Sequence, residues 1–563
     1  MSLLSFEDAR PWAKAIKRAI LDRSMPPWGA DERFGRFGND PSLTPEERAV
    51  LVRWVDAGAP RGDGAPPPAP KLAEGWNHPD GRPPDVVLEF PFAFEVPATG
   101  VLPNINIYSV LPESLIRQEH FIEAVQFVPG NPTVLHHASL STRTLPRGLR
   151  LGRARLWPGG PIVQNVPIAD RPELVERKLV GERAAAEIFS PMGTSHLVYY
   201  FPGNAGLTRF PIGAGKRIRG TDHIEWGLHY TPSGRPETDR PRAGLWLHKK
   251  PPSSEVITLR VGDFHIVNGR EVVIPAGVDT TPGHASIVNV PGVCGGVPCL
   301  KPTPMLPSIP PHAENWKLTA ITPFQNDVTL YAANPHGHLR LRDMAYVVTY
   351  PDGKEETILS VPSFDFSWQH FYRWEQPIRL PAGATIKVIG HYDNSRGNQA
   401  NPAPDQSVQW GEQSTEEMFN GFIEVSVDRF DARAPASDAK AHQIPLAMTV
   451  GCVEEDVAGW RLVRAAEVSY STVVHADAAE IAKALEMPLG RREFRLLGTA
   501  EFGSVSHFLS QGQRAQFSGE SAANVTGVLK HGHKVAVKGL LIADKASPKL
   551  NLLSVQSLSH ECR

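Results

Sequence analysis

From residue 86 to about residue 430 the chain is built from short runs of β-branched and aromatic residues set off by turn formers, a texture that predicts strands. Asp85-Val-Val-Leu-Glu-Phe90, Ser195-His-Leu-Val-Tyr-Tyr-Phe201 and Ala345-Tyr-Val-Val-Thr-Tyr350 are such runs, punctuated by Pro-Gly and Asn-Pro turns. Many short strands at this spacing are the pattern of antiparallel β-sandwiches. About 350 residues exceed what one sandwich usually holds, and the Pro-rich stretch Lys249-Lys-Pro-Pro-Ser-Ser254 is the natural seam between two. The expectation is a mainly β protein with two tandem antiparallel, jelly-roll-like sandwiches over 86–250 and 251–431.

The flanks read differently. Ser5 with Asp8 resembles a capping box, Pro11 suits a first helical turn, and Thr44-Pro-Glu-Glu47 is a helix start closed by Gly58. Residues 1–62 are expected to form a short helical segment. The Pro- and Gly-rich run over 59–70 leads into a semi-rigid linker at 63–85. A second linker is expected over 432–443, where small and polar residues run without periodicity. Beyond it, 444–563 carries strand-like segments at 446–453, 460–463, 494–497, 534–542 and 550–555 with a helical patch at 478–485, which predicts a small OB-like β-barrel module.

Composition narrows the class. At 563 residues the chain exceeds a single core and calls for several domains, with 41% apolar and 21% charged residues in the balance of soluble globular proteins. Lys and Arg number 58 against 60 Asp and Glu, and no stretch joins basic to aromatic residues, so nucleic acid is not an expected partner. No apolar run approaches the roughly 18–20 residues that span a bilayer, and the first residues lack the layout of a secretory signal. Four cysteines fall into a close pair, Cys294 and Cys299, and a distant pair, Cys452 and Cys562; two disulfides and four buried thiols both fit that spacing.

Histidine carries the candidate chemistry, though spacing alone proves little: 21 in this length give about 0.8 adjacent pairs and about 0.8 His-x-His by chance. The ordinary state of such pairs is hydrogen bonding on a sheet surface. His531-Gly-His533 has the spacing of His336-Gly-His338 yet sits in a Lys-flanked turn without a nearby methionine, and reads as a decoy. On a strand, His336 and His338 project to one face and can meet a single ion. Adjacent His136 and His137 point to opposite faces, so they share an ion only at a strand end, a bulge or a twisted edge.

Taken in order, Val134-Leu-His-His-Ala138, Gly227-Leu-His-Tyr-Thr-Pro232, Pro335-His-Gly-His-Leu339 and Glu416-Glu-Met-Phe-Asn420 resemble the copper type II, ascorbate-dependent monooxygenases, the family of the peptidylglycine and dopamine hydroxylases. The similarity runs over residues 86 to 430. It implies two β-sandwiches, each giving one copper, facing across a solvent-filled cleft. His136, His137 and His229 would hold the electron-storing copper, and His336, His338 and Met418 the oxygen-binding one. Imidazole tolerates both copper oxidation states and a thioether favours Cu(I), whereas a thioether is a poor zinc ligand. Ascorbate or another one-electron donor, with an electron-donor protein as a possible partner, would recharge the two coppers; dioxygen and a small organic molecule would be the substrates.

The departures bear on substrate. Where peptide-processing members place an Arg and a Tyr against the substrate carboxylate, this chain has Asn334 and Phe422, and of that set Asn420 alone matches. Asn cannot form a bidentate guanidinium grip, so a peptide carboxylate is not expected as substrate. Gly227 replaces a Gln that commonly precedes the third histidine by two. His391-Tyr-Asp-Asn394 resembles a bacterial branch of the family, with His391 expected to support the ligands from behind or to serve a structural hydrogen bond. Residues 1–28, with Met25 before two prolines, resemble the latter part of a c-type cytochrome domain, but the chain has no CxxCH and no haem is expected to bind. The resemblance implies a periplasmic or secreted location. The competing reading is a non-catalytic copper-binding or recognition protein on the same scaffold.

Overall fold

The computed structural model describes residues 3–65, 75–102, 105–144, 149–155, 162–169, 195–201, 206–261, 266–267, 270–271, 309–408, 414–427, 444–471, 478–503, 528–544 and 547–563. Strand accounts for 46% and helix for 11%, so the chain is mainly β as its texture predicts. The linker expected at 432–443 and the pair Cys294 and Cys299 lie outside the described residues, as does most of the Pro-rich part of the 63–85 linker.

The first β unit opposes a six-stranded sheet to a four-stranded one. The larger sheet runs Val86–Glu89, Arg242–Leu247, His120–Val128, Ala214–Ile218 and Ser254–Glu255, with Leu207–Arg209 also paired to His120–Val128. The smaller runs Ile105–Val110, Asp222–Tyr230, Leu135–Thr144 and Ser195–Tyr200. Between them lies one apolar cluster holding Trp226, Phe90, Phe127 and Ile122, all fully buried. The alternation of strand residues supplies it: Asp222–Tyr230 sends Ile224, Trp226 and Leu228 inward.

Two four-stranded sheets make the second unit. One is ordered Ile257–Val261, Asn420–Val427, Val328–His336, Tyr372–Leu380; the other is Trp316–Pro323, Thr385–Tyr392, Leu341–Thr349, Glu355–Val361. Their shared core includes Tyr346, Tyr392, Phe419 and Ile423. In the C-terminal module Gly459–Ala465, Arg492–Leu497, Lys549–Ser559, Lys534–Ile542 and Leu446–Asp456 follow one another, and Leu446–Asp456 pairs back to Gly459–Ala465, closing a five-strand barrel. The helix Ala478–Glu486 stands where the sequence predicts one, and Cys452 is disulfide-bonded to Cys562.

The N-terminal segment is only partly helical. Phe6–Ala9, Ala13–Leu21 and Pro45–Asp56 are helices, the last started by a full capping box between Thr44 and Glu47. Arg10–Trp12 is a 3-10 turn joining the first two, and the chain between Leu21 and Pro45 is not helical. Trp28 and Phe37 pack on Tyr372 of the second unit, and Phe37 bridges to Trp374. This stretch therefore joins the second core.

Two buried ion networks tie the units together. Lys216 of the first unit lies 2.9 Å from Glu424 of the second, and Arg373 lies 2.7 Å from the other Glu424 oxygen. Lys216 also donates to Thr258 Oγ1 and to the carbonyl of His196. Likewise Glu501 of the C-terminal module accepts from Lys317 at 2.7 Å and lies 3.7 Å from Lys387. Burial raises both glutamates, but the flanking cations outweigh it and hold each carboxyl at about 2.

Glu424→Gln leaves the Lys216 ammonium buried without a counter-charge, and a cost of about 3–5 kcal/mol is expected in chemical denaturation. The wild-type networks also predict an acid profile. Each glutamate is held from 4.5 down to about 2, so its contribution is complete above pH 4.5 and is lost as pH falls toward 2, measurable by denaturation at stepped pH.

Candidate metal centre

Strand register builds the first cluster. His137 pairs with His229, and the next pair is Leu135 with Tyr230, so His136 is the extra residue of a bulge in Leu135–Thr144. That irregularity is what an adjacent pair needs to face one point. Nδ1 of His136 lies 3.2 Å from Nδ1 of His137 and 3.5 Å from Nδ1 of His229. One donor atom from each of the three rings lies within 4.8 Å of the others, and among the described residues no other group of three His, Cys, Asp or Glu side chains gathers so. Burial lowers the proton affinity of all three: His136 below its ordinary value, His137 well below it with the other imidazoles adding to the effect, and His229 to about 4. They are neutral at neutral pH. A single proton serves one N···N contact, and His136 faces two; a cation satisfies all three lone pairs together.

The second cluster sits where Val328–His336 meets the segment leading into Asn420–Val427. His336 pairs with Asn420 across that ladder, and its Nε2 lies 3.2 Å from Met418 Sδ. Its Nδ1 is hydrogen-bonded to Gln369 Oε1, which fixes the tautomer that leaves Nε2 as the donor atom. His338 Nδ1 donates to the Glu416 carbonyl at 3.1 Å and likewise frees its Nε2. The two imidazole rings stand 5.6 Å apart, nearly perpendicular. Between them Gly337 has no room for a side chain, since a Cβ would meet Leu341 Cδ2 at 2.7 Å and the Met418 carbonyl at 3.1 Å.

Glu417 is the clamp of this cluster. Fully buried, its carboxyl accepts from the backbone N–H of His338 at 2.8 Å, of Arg340 at 2.6 Å and of Met418 at 3.3 Å. Burial pushes the group up to about 8, against those three donors and the Arg340 guanidinium. In the sequence Glu417 is only a neighbour of Met418; its grip on the His-Gly-His turn shows only in three dimensions. Gln369 was missed altogether, because no motif surrounds it.

The clusters are neighbours. His336 and His338 both depress the proton affinity of His137, and the ring of Phe366 stands 6.1 Å from His136 and 5.6 Å from His338. His338 and Phe366 also form part of the wall of a cavity of about 1380 Å³, whose other side is made by the N-terminal segment from Ile20 to Arg48.

Other residues singled out in the sequence have plain placements. Asn334 donates to the carbonyls of Gln369 and His370, so its amide holds the segment that carries Gln369. Asn420 Nδ2 approaches Met418 Sδ at 3.7 Å, and Phe422 lies between His336 and His196, each 6.1 Å away. His391 bonds Asp343 at 2.6 Å. At Gly227 a Cβ would lie 2.5 Å from the Ser139 hydroxyl and 3.3 Å from Asn106 Oδ1. Met25 is half exposed on the cavity wall. His533 packs against His560 at 5.1 Å, away from both clusters in the fold of the C-terminal barrel.

No protein-family model matches the chain, and no curated protein matches it. Among solved structures it is similar to PNGF-II with a TM-score of 0.22 and 9% identity, over 61% of this chain and 65% of that one. The infectious bursal disease virus Gx strain follows with a TM-score of 0.16 and 9% identity, over 62% and 76%. Procruciferin, the 11S globulin of Brassica napus, gives 0.08 and 9%, over 62% and 84%. The chain spans about 65% of the length of PNGF-II. Likenesses at this level carry no argument about fold or function.

In the metal-free protein the His229 ring is expected to titrate near 4, not near 6.5, in a histidine NMR titration. Glu417→Ala strands three buried N–H donors and is expected to cost about 3 kcal/mol or more in denaturation.

Proposed function

We propose that this protein is a copper-dependent monooxygenase of the type II, ascorbate-dependent kind, which uses dioxygen and an external one-electron donor to hydroxylate a C–H bond of a small organic substrate. The observation that carries the reading is the pairing of two unlike donor sets side by side: three imidazoles in one, two imidazoles and a thioether in the other. The ordered motifs that resemble the family supply all six side chains. An all-imidazole set suits a metal that cycles between oxidation states, and sulfur biases its neighbour toward Cu(I).

The residues fit such ions. In the first cluster His136, His137 and His229 offer neutral nitrogens at 3.2–3.5 Å contacts that no arrangement of protons satisfies together. In the second, Gln369 and the Glu416 carbonyl hold the ring tautomers so that both Nε2 atoms are available, and Glu417 fixes the backbone on which His338 and Met418 ride. Bound copper would supply stored electrons and a place for dioxygen to be reduced. The overall reaction consumes one dioxygen, two electrons and two protons, puts one oxygen atom into the C–H bond and releases the other as water.

The substrate would approach His338 from the large cavity. The amide of Asn334 is committed to backbone carbonyls and Phe422 is apolar, which argues against a substrate carboxylate held at those positions. The Cys452–Cys562 disulfide supports an oxidising compartment such as the periplasm or the cell exterior.

Copper loading followed by metal analysis tests the proposal. Two coppers per chain and ascorbate-driven oxygen consumption are expected in the wild type; Met418→Ala is expected to keep the first copper and lose at least about tenfold in oxygen consumption. Two coppers with no oxygen consumption over a broad substrate panel would leave only a copper-binding protein.

A further inference from the structure

We infer that Phe366 is the ring through which an electron passes between the two metal sites, an inference that rests on the two-copper reading above. Among the described residues one aromatic ring, that of Phe366, touches both donor sets: its centroid is 6.1 Å from His136 of the first and 5.6 Å from His338 of the second. A longer string of rings also joins them. His137 stacks on Tyr199 at 5.7 Å, Tyr199 lies 6.4 Å from His196, His196 stacks on Phe422 at 6.1 Å, and Phe422 lies 6.1 Å from His336. The Phe366 route has one intermediate ring and two gaps; the other has three rings and four gaps. Electron tunnelling weakens with every gap, so of these two ring-to-ring routes among the described residues the one through Phe366 carries more.

Phe366 is also part of the cavity wall on which His338 opens. The ring therefore stands between the space that substrate would occupy and the three-imidazole cluster, where a bridging water or substrate would otherwise have to carry the electron. With copper held by both donor sets, one electron from the first site would pass to the second and, with one electron already there and two protons, would reduce one dioxygen, one atom entering the C–H bond and one leaving as water. Phe366 is neither oxidised nor reduced. An external one-electron donor restores both coppers.

The test is a single turnover of the full-length, copper-loaded and fully reduced protein mixed with dioxygen and a substrate that supports turnover, read by rapid-freeze EPR as first-site Cu(II) appears. Phe366→Leu is expected to slow that appearance by about tenfold or more, and Phe366→Tyr, which keeps the ring, to stay within about twofold of wild type. The metal-to-metal distance from pulsed EPR is expected to be equal in all three proteins. An unchanged rate in Phe366→Leu that still holds two coppers would overturn the inference while leaving the two-copper reading intact. So would loss of rate in Tyr199→Leu alone, or slowing in Phe366→Leu that comes with a lengthened metal-to-metal distance. A wild type that binds fewer than two coppers, or that binds two and forms no Cu(II) with dioxygen and any substrate of the panel, would overturn both.

Discussion

The geometry of the candidate centre depends on the buried contact of Lys216 with Glu424. The two donor sets belong to different sandwiches, and among the described residues no disulfide joins one sandwich to the other. A solvent-exposed ion pair would do little, because water competes for both charges. Here both side chains are inaccessible, the second carboxylate oxygen is taken by Arg373, and the ammonium reaches the His196 carbonyl as well. Sliding one sandwich on the other would expose uncompensated charge in a low-dielectric interior, so the seam has one favoured position. Glu424 lies two residues beyond Phe422 on the strand that begins at Asn420, and Lys216 holds the backbone of His196. The lock thus acts on the walls of the centre.

Within each set, the backbone decides what the side chains can do. A bulge lets two adjacent histidines share a face; a glycine lets the His-Gly-His turn lie against the methionine carbonyl; a buried glutamate ties the N–H groups of that turn to the methionine segment. In the second set the Nδ1 atoms of His336 and His338 are bound to Gln369 and to the Glu416 carbonyl, which settles the tautomer of those two imidazoles before any ion arrives.

Much of this was legible in the sequence. Runs of β-branched and aromatic residues such as Ser195–Tyr200 and the Ala345–Thr349 portion of Leu341–Thr349 are strands, as their texture predicts. The His-His, His-Tyr, His-x-His and Glu-Met segments, far apart in the chain, converge as two groups. What stayed hidden depends on long-range packing. No local pattern marks Phe366 or Gln369, which reach the centre from a loop between Glu355–Val361 and Tyr372–Leu380. Asn334 looked like a substrate contact by position, but its amide faces two carbonyls that only the fold brings near. The stretch around Trp28 carries no strand or helix signal and is held by its rings and by backbone hydrogen bonds such as Asp31 to Ser360 and Gly38 to Arg373.

That stretch gives the cavity a divided origin. The face bearing His338 comes from the second sandwich, whereas the opposing face comes from a segment encoded hundreds of residues earlier and held by Trp28 and Phe37. On the two-copper reading, side chains on the N-terminal face could alter what the cavity admits while the six candidate ligands, all carried by the two sandwiches, stay in place.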